Sequence, residues 1–284
     1  MKRIVALIDG SRYSQSVCDH AGWVATRGES SLVLLHVLGR RDGVGNNADL
    51  SGSIGLGART ALLEELAELD GQKARLANKR GRAILDDAKA RVEQLGATGV
   101  TTTLRNGQLV ETMREFEVEA DLIVIGKRGE ASNFDMDHLG SNLERVARST
   151  NKPILVASRA FNPIKKILIA FDGGASSMKA VEHIAASSVF SGLECLLLHL
   201  GSETSGHRKQ LGGAVAILRE AGFVADYQVL AGQPDTVISS TVETEEFDLL
   251  VMGAYGHSRI RNLIIGSTTT QMLGACKVPV MLFR

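Results

Sequence analysis

The chain carries one pattern twice, and that duplication limits what it can fold into more than any other feature. Lys2-Arg3-Ile4-Val5-Ala6-Leu7-Ile8-Asp9-Gly10 returns as Lys165-Lys166-Ile167-Leu168-Ile169-Ala170-Phe171-Asp172-Gly173, and Leu34-Leu35-His36-Val37 returns as Leu197-Leu198-His199-Leu200. Both matches stand 163 positions apart. Further on, Gly107-Gln108 answers Gly232-Gln233, and Ala120-Asp121-Leu122-Ile123-Val124-Ile125-Gly126 answers Phe247-Asp248-Leu249-Leu250-Val251-Met252-Gly253. Lys152-Pro153-Ile154-Leu155-Val156 answers Lys277-Val278-Pro279-Val280-Met281-Leu282. A duplicated unit is the economical explanation.

Each copy reads strand, helix, strand, helix, strand, helix, strand, helix, strand. The strands at 4–8, 122–125 and 249–252 are apolar without alternation, as strands buried on both faces are, whereas Val17, Ala21, Val24 and Ala25 recur at helical spacing. The expected fold is α/β: two repeated five-stranded parallel-sheet, Rossmann-like domains, 1–160 and 161–284, with helices on both faces and right-handed crossovers. A length of 284 residues suits two such units at about 150 residues each. Ligands of these sheets bind at the carboxyl ends of the strands, so Asp9 and Asp172 are expected beside the loop that follows the fourth strand of their copy.

The offset falls from 163 at the histidines to 125 at the glycines, so the first copy holds 38 extra residues between its second and third strands. This insert, at about 40–97, opens with a glycine-rich run and continues through Leu62, Leu66, Leu69, Leu76, Ile84, Leu85, Ala88, Val92 and Leu95. It reads as a loop followed by one long helix or two shorter ones, serving as a plain connection, a lid or a dimer arm. Gly55-Leu56-Gly57 is no dinucleotide fingerprint, because no strand precedes it and the third glycine is missing.

Composition excludes several classes. With 32 basic and 32 acidic residues there is no electrostatic case for nucleic acid or an anionic membrane as partner. No apolar run approaches the roughly 20 residues of a membrane helix, and the run after Met1-Lys2-Arg3 is too short for a signal segment. Cys18, Cys195 and Cys276 form no CxxC pair and are odd in number, which points to structural thiols in a reducing cytoplasm.

Gly253-Ala254-Tyr255-Gly256, nine further residues and Gly266-Ser267-Thr268 connect an apolar strand to a helix with Met272, Leu273 and Cys276 at helical spacing. Glycines let backbone approach a ligand closely, and a helix start offers unpaired N–H groups beside a positive dipole end. Anion binding is one reading of the stretch; simple turning and capping is the other.

Asp172, the strand Asp248-Leu249-Leu250-Val251-Met252-Gly253, the Gly253-x2-Gly256-x9-Gly266-Ser267 loop and Val278-Pro279-Val280 resemble a universal stress protein domain of the nucleotide-binding subclass. The similar first half makes the chain resemble the tandem members of that family, over nearly everything outside the insert. The resemblance implies the adenine nucleotide alpha hydrolase-like form of the fold, and binding of ATP, or of AMP or ADP, without the Walker sequence that is absent here. On that resemblance Asp172 contacts ribose or adenine, and Leu200 and Met252 line the adenine. Backbone at Gly253, Gly256 and Gly266, with Ser267 and Thr268, holds the phosphates. His257 can donate a hydrogen bond and Arg259 and Arg261 can neutralise charge, unless they are simply solvated.

The corresponding positions of the first half are Asp9, Val37, Gly126, Gly129, Gly140 and Ser141. Here ten residues separate Gly129 from Gly140, and they include Glu130, Asp135 and Asp137. An uncompensated carboxylate near a phosphate costs on the order of 1 kcal/mol or more. Even counting Lys127 and Arg128 the first loop is one charge negative and the second two positive, so tighter binding is expected in the second half. Mg²⁺ bridging through Asp135 or Asp137 is the competing arrangement.

The expected function is that of a nucleotide-responsive stress regulator with no catalytic residues, no metal site of its own and at most slow ATP hydrolysis. The alternatives are an ATP-using enzyme of the pyrophosphatase or adenylyl transferase group, and a scaffold that binds nothing. The last strand is too apolar to stay at an open edge. Pairing with 154–158 of the other half would cover both edges, as family members do between separate copies, and two tandem chains could pair again through the insert as a homodimer.

Overall fold

The computed structural model describes residues 2–39, 56–129, 140–254 and 267–284, of which 56–61 and 267–268 by backbone only. The first half runs β1 (Arg3–Leu7), α1 (Ser14–Gly28), β2 (Ser31–Leu38), α2 (Leu56–Gln94), β3 (Val100–Asn106), α3 (Leu109–Glu117), β4 (Leu122–Gly126), α4 (Ser141–Ser149) and β5 (Ile154–Ala157). The second runs β6 (Lys166–Ala170), α5 (Ala175–Ala186), β7 (Glu194–Leu200), α6 (Ser205–Glu220), β8 (Val224–Leu230), α7 (Pro234–Thr244), β9 (Leu249–Gly253), α8 (Ser267–Ala275) and β10 (Val280–Phe283), with a short 3₁₀ turn, Ser188–Phe190, after α5.

All ten strands form one sheet in the order β3-β2-β1-β4-β5-β10-β9-β6-β7-β8. Every neighbour pair is parallel except β5 with β10, which run antiparallel with Val156 opposite Val280 and Ile154 opposite Leu282. The two five-stranded units expected from the repeat are therefore joined edge to edge, through the pair of strands that their apolar sequences left in need of a partner.

Alternate residues of the strands feed two cores. Ile4, Ala6, Leu32, Leu34, Leu122 and Val124 face α1 and the end of α2 on one side, and Val5, Leu7, Val33, Leu35, Ile123 and Ile125 face α3 and α4 on the other. Helices on both faces explain why the strands show no polar alternation.

The insert is one continuous 39-residue helix. Its last turns bury Leu85, Ala88 and Val92 in the first core, and Arg91 forks onto Asp19 of α1 at 2.6 and 2.8 Å. Gly81 marks the crossing over the sheet: a Cβ there would fall 2.8 Å from Leu104 Cδ1 and 3.0 Å from His36 Cδ2. Towards the N-terminus the helix leaves the body, and Leu63, Leu66, Leu69 and Leu76 are exposed.

The duplication repeats polar details at the strand starts. Asp121 Oδ2 accepts the N–H groups of Lys2 and Arg3 at 2.5 and 3.1 Å, and Asp248 Oδ2 accepts those of Lys165 and Lys166 at 2.8 and 3.0 Å. Each carboxylate ties the start of its fourth strand to the start of the first. Partial burial raises the Asp121 pKa, but the two N–H donors outweigh it and hold the carboxyl below its ordinary value.

Around the seam, Trp23 packs between Phe161 and Phe190, with ring centroids 6.5 and 6.2 Å away. Arg27 lies over Trp23 at 5.4 Å and donates to the carbonyls of Val189 and Ser191 at 2.7 and 2.9 Å. Trp23 is the single tryptophan of the chain, so its fluorescence reports on the joint between the halves.

Two outcomes are expected. Trp23→Ala should lower stability by about 2–3 kcal/mol, less than full truncation of a core aromatic because the ring is half-buried, as read from urea unfolding by circular dichroism. Asp121→Asn should cost about 1 kcal/mol at neutral pH. A depressed folded pKa gives stability above the unfolded carboxylate value of 3.8 that disappears as pH falls through the folded value, so thermal unfolding of mutant and wild type should converge in acid.

Candidate functional site

In each half the chain steps outward from the first strand to the second and third, then returns to place the fourth on the other side of the first. The reversal opens a crevice beyond the carboxyl ends of β1 and β4, and of β6 and β9. Asp9 follows β1 and Asp172 follows β6, while Gly126 and Gly253 end β4 and β9.

Both aspartates sit in the same hydrogen-bonded turn. Asp9 Oδ1 accepts Ser11 N–H at 2.9 Å and the Ser14 hydroxyl at 3.1 Å; Asp172 Oδ1 accepts Gly174 N–H at 2.9 Å and the Ser177 hydroxyl at 2.7 Å. One carboxylate oxygen thus shapes the entry into α1 or α5 and fixes where the other points. The preceding carbonyl is pinned too: His36 Nδ1 donates to Ile8 at 2.5 Å and His199 Nδ1 to Phe171 at 2.9 Å. A carbonyl only accepts, so these bonds place the proton on Nδ1 and make both buried histidines supports of the aspartate turn.

The strand ends approach the helix starts closely. A Cβ at Gly126 would fall 2.7 Å from Tyr13 Cβ, and one at Gly253 would fall 3.1 Å from Ser176 Cβ. A Cβ at Gly129 would stand 2.9 Å from Asp9 Oδ2, and Gly140 N–H closes the base of its loop on the Lys127 carbonyl at 3.1 Å. Glycine at these places keeps the floor of the crevice made of backbone and of the aspartate.

In the first half the result is a cleft of about 540 Å³, counting space open to solvent, lined by Asp9, Tyr13, Val37, Ile125, Gly129 and Gly140 among others. Apolar walls at Val37 and Ile125 suit a flat ring, Asp9 suits a hydroxyl or amino donor, and Arg128 supplies a cation at the lining. Leu200 and Met252 hold the equivalent strand positions in the second half.

Lys127 corrects the charge count made from sequence. It is buried, and its ammonium donates to the carbonyl of Cys276, just past the end of α8, which removes it from the crevice; burial also lowers its pKa. The second half answers with Arg284, whose Nη1 donates to the Arg148 carbonyl in the last turn of α4 at 2.9 Å. The thiols are buried as well, and desolvation pushes Cys18 and Cys195 up to about 12 and raises Cys276. None of them is a nucleophile near neutral pH. Among the described residues no group of three or more His, Cys, Asp or Glu could hold a metal ion.

The family model of the universal stress protein family matches residues 1–158 and 201–284. The chain belongs to the universal stress protein family. It is 37% identical over 287 residues to the universal stress protein Slr1230 of Synechocystis sp., covering all of both chains. A universal stress protein of Mycolicibacterium smegmatis is 22% identical over 99% of this chain and 96% of its own. Among solved structures, a universal stress protein from Archaeoglobus fulgidus superposes with a TM-score of 0.74 at 18% identity, over 99% of this chain and 98% of that one, which shows the shared fold. No helix among the described residues is long and apolar enough to cross a membrane.

Of the positions carried over from the universal stress protein pattern, Asp9, Val37, Gly126, Gly129 and Gly140 converge on the first cleft, while Ser141 is not part of its lining and Asn142 is. Tyr13 and Leu109 also line it and have no motif to announce them. In the second half Asp172, Leu200, Met252 and Gly253 occupy the matching places. Gly256, His257, Arg259, Arg261 and Gly266 lie outside the described residues, as do Glu130, Asp135 and Asp137 of the first loop; Ser267 and Thr268 open α8 by backbone.

Replacing the pinning histidine tests the support role. His199→Phe should cost about 1–3 kcal/mol in urea unfolding, because the Phe171 carbonyl loses its buried donor, and His36→Phe should behave alike.

Proposed function

We propose that this tandem universal stress protein is a nucleotide-responsive regulator that binds ATP, or AMP or ADP, at the carboxyl ends of its strands, with the second half as the stronger site. The observation that supports this most is the aspartate turn set opposite a glycine-built strand end, repeated in both halves. A carboxylate fixed at the end of the first strand is suited to accept from a ribose hydroxyl or the adenine amino group, and apolar side chains at Val37 and Ile125, or Leu200 and Met252, suit the ring. Backbone N–H groups of Gly253, Gly256 and Gly266, with Ser267 and Thr268 at the start of α8, would hold the phosphates. His257 and Arg259 would complete that loop, and Mg²⁺ can accompany the nucleotide.

Two features favour the second half. Tyr13 stands at the mouth of the first cleft where its counterpart is the smaller Ser176, and Lys127 is withdrawn from the first loop into the seam. Both would leave the first site with less room and fewer cations. On this reading the chain is a binder with at most slow ATP hydrolysis, and an ATP-using enzyme of the pyrophosphatase or adenylyl transferase group is the alternative.

Isothermal titration of the full chain with ATP should show Asp172→Ala weakening binding by about tenfold to a hundredfold, and Asp9→Ala having the smaller effect. Equal losses would remove the asymmetry, and absence of ATP, ADP and AMP affinity in the wild type would return the chain to the scaffold reading. Mass spectrometry of nucleotide extracted from the purified protein identifies the resident species.

A further inference from the structure

The projecting part of α2 has a purpose that the crevices do not use. In the turns that rest on the sheet, Gly81, Leu85, Ala88 and Val92 form the buried row. At about 100° per residue, Leu62, Leu69 and Leu76 fall on a different stripe, well over a quarter-turn away, and recur every seven residues with Leu66 between them. Leu66, Leu69 and Leu76 are 40, 44 and 68% exposed. A run of leucines at two-turn spacing on a helix face that leaves the body is the seam of a helix pair, not of this domain's core.

Charge says which helix completes the pair. Glu64, Glu65, Glu68 and Asp70 carry residues 64–70 without a cation, and Lys73, Arg75, Lys79, Arg80 and Arg82 carry residues 73–82 without a carboxylate. A second copy laid parallel would stack acid on acid and base on base. Laid antiparallel about a two-fold axis close to Gly71, it sets each acidic stretch beside the partner's basic one and Leu66 near the partner's Leu76. An isologous contact of this kind is self-complementary and closes at two chains.

We propose that α2 is a dimerisation arm, and that its partner is the α2 of a second copy of this chain, packed antiparallel through Leu62, Leu66, Leu69 and Leu76. The interface is separate from the β5–β10 seam, which is satisfied within one chain.

Sedimentation equilibrium of the full chain at low salt is expected to give twice the chain mass. Leu69→Glu/Leu76→Glu should give the single chain mass with unchanged far-UV circular dichroism and unchanged thermal unfolding of the body. Two charge variants test the electrostatic pairing: over residues 64–82, Glu64→Lys/Glu65→Lys/Glu68→Lys leaves the arm basic apart from Asp70, and Lys73→Glu/Arg75→Glu/Lys79→Glu leaves it acidic apart from Arg80 and Arg82. Each alone should be monomeric, and an equimolar mixture should recover dimers containing one of each. A monomeric wild type, a dimer indifferent to the leucine substitutions, or charge variants that dimerise alone or fail to pair when mixed would overturn the proposal.

Discussion

The antiparallel contact between β5 and β10 is the interaction on which the rest of the architecture depends. Each half ends in a four-residue strand with all four residues buried, Ile154–Ala157 and Val280–Phe283. Left alone, either strand would present apolar side chains and unpaired backbone groups at an open edge, an invitation to uncontrolled pairing. A gene duplication supplies two such edges with the same sequence character. Bringing them together head to tail satisfies both at once, and it turns two small sheets into one with Trp23, Phe161 and Phe190 packed over the joint.

With the edges satisfied, the crevices follow from chain order. The first strand must be flanked by the second on one side and the fourth on the other, and wherever that reversal occurs the loops part. The residues found at the parting are the ones the two halves share most closely. An aspartate binds its own helix entry, a histidine pins the carbonyl before it, and a glycine lets the fourth strand come within contact of α1 or α5.

Much of this was legible in the sequence because it rests on periodicity and repetition. Unbroken apolar runs marked the strands, the constant offset paired Asp9 with Asp172, and the apolar last strand announced its need for a neighbour. What was hidden depends on approach rather than pattern. Lys127 sits between two loop residues and reads as a loop cation, yet it turns away into the seam because a helix end with exposed carbonyls lies there. Tyr13 and Asn142 line the cleft only because of where α1 and α4 begin, and no spacing rule states that. The insert left one helix or two open, since Gly71 and Gly81 could have broken it. The second glycine instead lets the helix pass over His36 and Leu104 without a clash.

The reciprocal cations at the seam tie each half to a helix end of the other. Because β5 and β10 run in opposite directions, the crevices open at opposite edges of the sheet and cannot share a ligand. Yet α8, whose first residue closes the second glycine loop, ends against Lys127, the neighbour of Gly126 at the first crevice. Likewise α4, which begins after Gly140 of the first loop, ends against Arg284, one residue past the strand that Ala254 of the second crevice grips through the Phe283 carbonyl at 2.7 Å. Each of these helices is a strut about 14 Å long. Each half thus sets one cation on the end of a helix of the other, through the Lys127–Cys276 and Arg284–Arg148 hydrogen bonds, so the seam is held by side chains as well as by the strand pair.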